Sequence, residues 1–252
     1  MKIRFTLIAA LAFSLALRPA PLLPQTSPRA QGPKYEFRNV HDPNGIGKFY
    51  MGREIAQVMG HQAADWLERP EREEEEQPEK MLNALKFTPG MVVADIGAGS
   101  GYLSFRIAKR VGPTGKVLAV EIQQEMLDII NRKMREHNTK NVQTVLGTTK
   151  DPKLPPNSVD LIIQVDVYHE FDFPHEMSTN MIKGLKPGGR LVFVEYRLED
   201  ENVPIKLVHK MTEKQVKKEM AQFPIKWAET IETLPWQHII IFKKDGDAQT
   251  NP

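Results

Sequence analysis

From residue 91 onward, short apolar runs alternate with stretches of helical spacing. Met91–Ile96, Val117–Glu121, Val142–Leu146, Val159–Val165 and Leu191–Glu195 have the length and β-branched content of buried strands. Between them, Tyr102–Val111, Glu125–His137 and Glu176–Leu185 repeat apolar positions every three to four residues, and the last stops at Lys186-Pro187-Gly188-Gly189. Strands without polar alternation are covered on both faces, and their alternation with helices predicts parallel βαβ units. Thr212–Ala221 is a further amphipathic helix that opens on a good cap. Lys226–Thr233 and Gln237–Lys243 lie too close around Leu234-Pro235 for a helical crossover, which predicts an antiparallel pair at one edge. The fold class is α/β, with a doubly wound, mostly parallel sheet.

Upstream, Phe49, Ile55, Val58, Met59, Ala63 and Trp66 fit one face of a helix between Gly47 and Leu67. An acidic tract interrupted by proline, Glu68 to Lys80, reads as a solvated connection, and a second helix runs from Pro78 to Lys86 with proline in its first turn. Residues 46–80 are thus a helical cap with an acidic tract, 81–245 the main domain and 246–252 a disordered tail. Residues 31–45, rich in Pro, Gln and Gly, read as a linker. Residues 1–30 form a separate unit: Lys2 and Arg4 give a basic start, and the apolar run Phe5–Leu17 is broken by Arg18. As a helix that run spans about 20 Å, short of a bilayer core of about 30 Å, so it fits an export signal better than a membrane span. An exported location follows if the signal works, and a cytoplasmic one if it does not.

Charge changes the picture only after that segment is set aside. Removing Lys2, Arg4, Arg18 and Arg29 turns the formal net charge of +2 into about −2, which gives no electrostatic case for a nucleic-acid partner. The absence of cysteine excludes disulfides, thiolate metal sites and a cysteine nucleophile. The remaining 40% hydrophobic and 26% charged composition is that of an ordinary globular domain.

The chemistry is concentrated in Val92-Val93-Ala94-Asp95-Ile96-Gly97-Ala98-Gly99-Ser100-Gly101-Tyr102, a buried strand running through a glycine-rich turn into a helix. Glycine permits positive φ and close approach of a ligand, and a helix start presents unpaired N–H groups. A dinucleotide fingerprint needs Gly or Ala three residues after Gly99, where Tyr102 stands, so a nicotinamide oxidoreductase is disfavoured. A second acid, Glu121, ends the next strand, where a carboxylate can accept hydrogen bonds from both ribose hydroxyls. Together they describe a nucleoside site without pyrophosphate chemistry.

With Asp160-Leu161-Ile162-Ile163 and Leu185-Lys186-Pro187-Gly188-Gly189-Arg190-Leu191 following in order, residues 80–245 resemble the class I S-adenosylmethionine-dependent methyltransferase family. The resemblance implies a seven-stranded sheet in the order 3-2-1-4-5-7-6, last strand antiparallel, with S-adenosylmethionine as cofactor. It implies that Gly97, Ala98, Gly99 and Gly101 form the bend under the methionine and ribose, and that Asp95 contacts the methionyl amino group directly or through water. Glu121 would hold the ribose, Ile122 would pack on the adenine, and Asp151 is the candidate for its amine, Thr148 standing where the more common Asp would be. Asp166 would lie beside the transferred methyl group.

Acceptor chemistry falls to the residues just beyond the fourth strand. His169 can serve as a base near neutrality, Glu170 can orient it, and Tyr168 can stack or donate; a capping or core role for His169 is the alternative. A zinc helix of the His-Glu-x-x-His type fails because residue 173 is Phe173, although His175, His209 and His238 remain free to converge in space, and no metal is expected. The function expected is methyl transfer to a small-molecule acceptor. A non-catalytic binder of the cofactor or its product, or a protein methyltransferase, are the alternatives.

Overall fold

A computed structural model describes residues 35–246. The signal-like segment, the start of the linker and the tail from residue 247 lie outside the described residues. Seven strands, β4 (Val92–Ile96), β5 (Lys116–Glu121), β6 (Val142–Leu146), β7 (Val159–Val165), β8 (Leu185–Tyr196), β9 (Ile225–Ile231) and β10 (Gln237–Lys244), form one sheet. Its order is β6-β5-β4-β7-β8-β10-β9. β10 runs antiparallel to both β8 and β9, and the other pairings are parallel. The expected order 3-2-1-4-5-7-6 is therefore the observed one.

Strict alternation along the central strands sends side chains to two separate cores. Val93, Leu161, Ile163, Val192 and Val194 face one side, packed with Leu103 and Ile107 of α4 (Tyr102–Val111) and Ile130 of α5 (Gln124–Glu136). Ala94, Ile162, Leu191 and Phe193 face the other, with Met177 and Met181 of α6 (Pro174–Gly184) and Val216 and Met220 of α7 (Glu213–Met220). The edge strand β9 keeps Lys226, Trp227 and Glu229 exposed, a charged edge that resists further pairing. Among the described residues no helix is long and apolar enough to cross a membrane.

Two departures from the sequence pattern matter. β8 starts at Leu185 rather than Leu191, so Lys186-Pro187-Gly188-Gly189 lies within a strand whose register shifts opposite Val159–Leu161. More important, the region expected as a helix from Gly47 to Leu67 is a small antiparallel sheet followed by short turns. β1 (Tyr35–Phe37) pairs with β2 (Gly45–Tyr50), and β2 with β3 (Arg53–Ala56), so part of the expected linker is strand. The physical reason is the two-residue loop Met51-Gly52, with φ of 50° and 100°, which joins Tyr50 to its partner Arg53. Two consecutive positive φ values make a tight hairpin and cannot be helical. Helix enters as a 3-10 turn at His61–Ala63 leading into α1 (Ala64–Leu67), then as α2 (Arg72–Glu75) and α3 (Pro78–Ala84).

This small sheet is bolted to the main domain by buried polar contacts. The Lys48 ammonium donates to the Asp172 carboxylate at 2.8 Å and to its carbonyl at 2.6 Å, over the face of Phe173. Arg53 pairs with Glu219 of α7 at 2.7 Å and donates to the His169 carbonyl at 3.2 Å. The acidic tract is also only partly solvated, which corrects the sequence expectation. Arg72 and Glu76 turn inward and pair at 2.7 Å, because the i, i+4 spacing puts both on the face that meets the sheet.

Candidate functional site

Ligands of open α/β sheets bind beyond the carboxyl ends of the strands, where the strand order reverses, here between β4 and β7. A cavity of about 580 Å³ opens there, in the range of small-molecule and cofactor sites.

Its floor is the turn after β4. Gly97 and Gly99 have φ of 68° and 54°, and a Cβ on either would fall 2.5 Å from Val167 or Leu67 respectively. Backbone conformation favours glycine at both positions, and at Gly97 the branched Val167 side chain leaves no room for a Cβ either. Gly101 and Ala98 lie behind this surface. Gly101 caps α4, and a Cβ there would meet Phe105 and Ile130; Ala98 belongs to the core. The Glu121 carboxylate lines the cavity, accepting from the N–H groups of Gly99 at 3.1 Å and Ile122 at 2.6 Å. Gln123, unremarked in the sequence, holds the covering segment. Its amide donates to the Met59 carbonyl at 2.9 Å and accepts from the His61 N–H at 2.8 Å.

Two further residues expected at the cofactor, like Ala98 and Gly101, do not line the cavity. Asp95 is buried and does not line the cavity; its carboxylate accepts from the Ser104 hydroxyl at 2.6 Å. Burial pushes its pKa up to about 6, against the lowering effect of that hydroxyl. Asp151 sits outside, accepting from the N–H of Lys153 and pairing with its ammonium at 3.0 Å, while Gly147, Thr148 and Thr149 form the wall.

At the centre stands Asp166, in a left-handed conformation with φ of 53°. Oδ2 accepts from the Gln237 amide at 2.6 Å, whereas Oδ1 is enclosed and has no partner. Its pKa is raised well above the carboxylate range by burial first, then by Glu76 and Glu195, with Arg72 opposing. Arg72 lines the same wall, a contribution the charge run concealed.

The far end is built by a short turn, Tyr168–Glu170, facing another, Leu207–His209. His169 Nδ1 donates to Glu195 Oε2 at 2.6 Å, and Glu195 Oε1 accepts from the Tyr168 N–H at 2.9 Å. His169 Nε2 faces His209 Nδ1 at 3.2 Å. Glu170 Oε1 lies 3.9 Å from the first and 3.7 Å from the second. Burial works against charge on His169, yet the Glu195 carboxylate wins and holds its pKa above the ordinary value. Burial lowers His209 to about 4 and raises Glu170 to about 7. Tyr168 does not reach the cavity; its hydroxyl donates to the buried Glu219 at 2.6 Å. Of the other histidines, His175 sits by Tyr50 and His238 by Glu232, so His209 alone converges on His169.

The cradle fits S-adenosylmethionine. The enclosed Oδ1 of Asp166 suits its ammonium, the inward guanidinium of Arg72 its carboxylate, and Glu121 its ribose hydroxyls.

Residues 87–244 match the profile of a methyltransferase-domain family, more than half of the chain. A demethylmenaquinone methyltransferase of Lactococcus lactis is 29% identical over 117 residues, 46% of each chain. A ubiquinone/menaquinone biosynthesis C-methyltransferase of Ectopseudomonas mendocina is 31% identical over 109 residues, 43% of each. The matched segment thus spans less than half the length of these curated relatives. A crystal structure of an S-adenosylmethionine-dependent methyltransferase from Aquifex aeolicus superposes with a TM-score of 0.70 at 25% identity, over 74% of this chain and 99% of that one. Strand order, glycine floor and family match agree: the chain belongs to the class I S-adenosylmethionine-dependent methyltransferases.

Proposed function

We propose that the protein transfers a methyl group from S-adenosylmethionine to a small, largely apolar acceptor whose one polar group faces His169, Glu170 and His209. The observation that carries this is the continuity of one cavity from the glycine floor and Glu121 to that cluster, with Asp166 between. Apolar side chains such as Val58, Trp66 and Ile205 line much of the wall. The quinone-biosynthesis names of the partial relatives favour an acceptor of that chemical kind.

The cofactor supplies a methyl group on a positively charged sulfur, open to in-line displacement. This chain's residues supply orientation and proton removal. Glu121 and Asp166 hold the nucleoside and ammonium ends, while Gly97 and Gly99 let the backbone approach closely. Glu195 locks the His169 ring so that Nε2 faces the acceptor end, and the cluster takes the proton that the acceptor gives up.

Calorimetry with S-adenosylhomocysteine tests the first half. We expect micromolar affinity, and Glu121→Ala weakens it by about 1–3 kcal/mol through lost ribose hydrogen bonds; no binding to the parent protein overturns the proposal. For the second half, His169→Ala slows turnover more than it weakens cofactor binding, and equal losses would reassign His169 to structure. The same proposal gives residues 1–30 the role of an export signal, checked by N-terminal sequencing of the native protein.

A further inference from the structure

We propose that His169 Nε2, His209 Nδ1 and Glu170 Oε1 together form a binding site for a divalent transition-metal cation, zinc fitting best, at the acceptor end of the cavity. Their mutual separations of 3.2, 3.7 and 3.9 Å define a triangle. The nearest point equidistant from its corners lies in their plane, about 2.1 Å from each, so drawing Glu170 in by a few tenths of an ångström makes the trio the base of a tetrahedral zinc site. As a hydrogen-bond network the same triangle is poor. Glu170 Oε1 is too far from either imidazole for a hydrogen bond, and the two rings satisfy only one contact between them.

The surroundings have the form that metal sites need. A ligating histidine is normally fixed by a carboxylate on its other nitrogen, which sets the tautomer and aims the free lone pair. Glu195 does this for His169 at 2.6 Å, is itself fully buried, and is pinned by the Tyr168 N–H. The His209 ring stands edge-on to that of His169, with centroids 5.1 Å apart. Two imidazoles and one carboxylate favour zinc and its first-row neighbours over magnesium or calcium, which prefer all-oxygen sets. Three protein ligands leave a further position open towards the cavity, as in sites where the metal meets a substrate. The cation site rests on these side chains alone. Its use, to bind an oxygen or nitrogen group of the acceptor and lower its pKa so that the proton leaves to water, replaces proton uptake by the cluster when the cation is bound and rests on the methyl transfer proposed above.

The test uses the full chain, stripped with a chelator and dialysed, then titrated with zinc by calorimetry and with cobalt(II) by visible absorption. We expect one equivalent of zinc bound at micromolar affinity or tighter, and cobalt bands of four- or five-coordinate geometry. His209→Ala and Glu170→Gln should each weaken zinc binding at least 100-fold, with circular dichroism and S-adenosylhomocysteine binding retained as evidence of folding. Zinc binding weaker than millimolar, or binding unchanged in both variants, overturns the site. Calorimetry with S-adenosylhomocysteine on the same preparation separates the two proposals. Cofactor binding without zinc leaves the methyltransferase and removes the metal; zinc without cofactor does the reverse.

Discussion

At the Glu121 end of the cavity the floor and the carboxylate above it come from residues close in sequence, on one strand–turn–helix and the strand beside it. At the His169 end they are made by side chains from three distant segments, held from behind by a fourth. Gly97, Gly99 and Glu121 lie within 25 residues of one another, whereas His169, Glu195 and His209 are drawn together by the β7–β8 pairing and the turn at Leu207–His209. A cofactor common to many enzymes needs only a generic cradle; an acceptor needs a particular constellation. The difference teaches that the first half can persist while the second changes.

The comparison can be broken from behind the turn. Arg53→Ala leaves Glu219 buried without its cation and removes the donor to the His169 carbonyl. A stability loss of about 3–5 kcal/mol, or roughly 10 °C in melting temperature, is expected, with S-adenosylhomocysteine affinity little changed below the transition. Differential scanning calorimetry with and without that ligand checks both parts.

A smaller effect belongs to the cofactor half. Asp95 has a folded pKa of about 6 against an ordinary 3.8, so the native state holds its proton more tightly. Stability from this group is fully present below about pH 4 and is lost as pH rises towards 6, a total of about 3 kcal/mol. Asp95→Asn should flatten that part of the profile. Denaturant midpoints of the two ligand-free proteins from pH 4 to 7 would show it, and parallel profiles would mean that the carboxylate is ionised throughout.

The smallest effect sharpens the boundary of the cradle. Asp151 is paired with Lys153 outside the cavity, so Asp151→Asn should change S-adenosylhomocysteine affinity by less than about 0.5 kcal/mol. A larger loss would bring Asp151 back to the adenine.

The strands, the antiparallel edge pair and the glycine floor were legible because each rests on local periodicity or on contiguous residues, whereas the strand order came only with the family resemblance. The 45–56 hairpin was not. Six apolar positions mimic a helical face there, yet Val58 and Trp66 of that supposed face are 44% and 46% exposed. The better signal was glycine at 45, 47 and 52, too dense for a helix and well suited to hairpins. Arg72 and Glu76 were hidden in a run of like charges, where composition says solvent and only the i, i+4 pairing says otherwise. The approach of His209 to His169 carries no local trace at all, since 39 residues and a turn separate them. Asp95 shows a different limit. The motif placed it at the strand end correctly, but α4 offers the Ser104 hydroxyl on the inner side, and the carboxylate turns to it rather than to the cavity wall.

Lys48 and Arg53 do not line the cavity themselves but grip the carbonyl groups of Asp172 and His169, two residues of its wall. The small sheet therefore braces the Tyr168–Asp172 segment from behind, through its carbonyl groups. A chimera that takes its 87–244 segment from a relative and keeps the 35–86 segment of this chain would inherit a sound nucleoside cradle and a mis-set turn. On the function proposed above, acceptor preference passes down as a matched couple, small sheet and turn together.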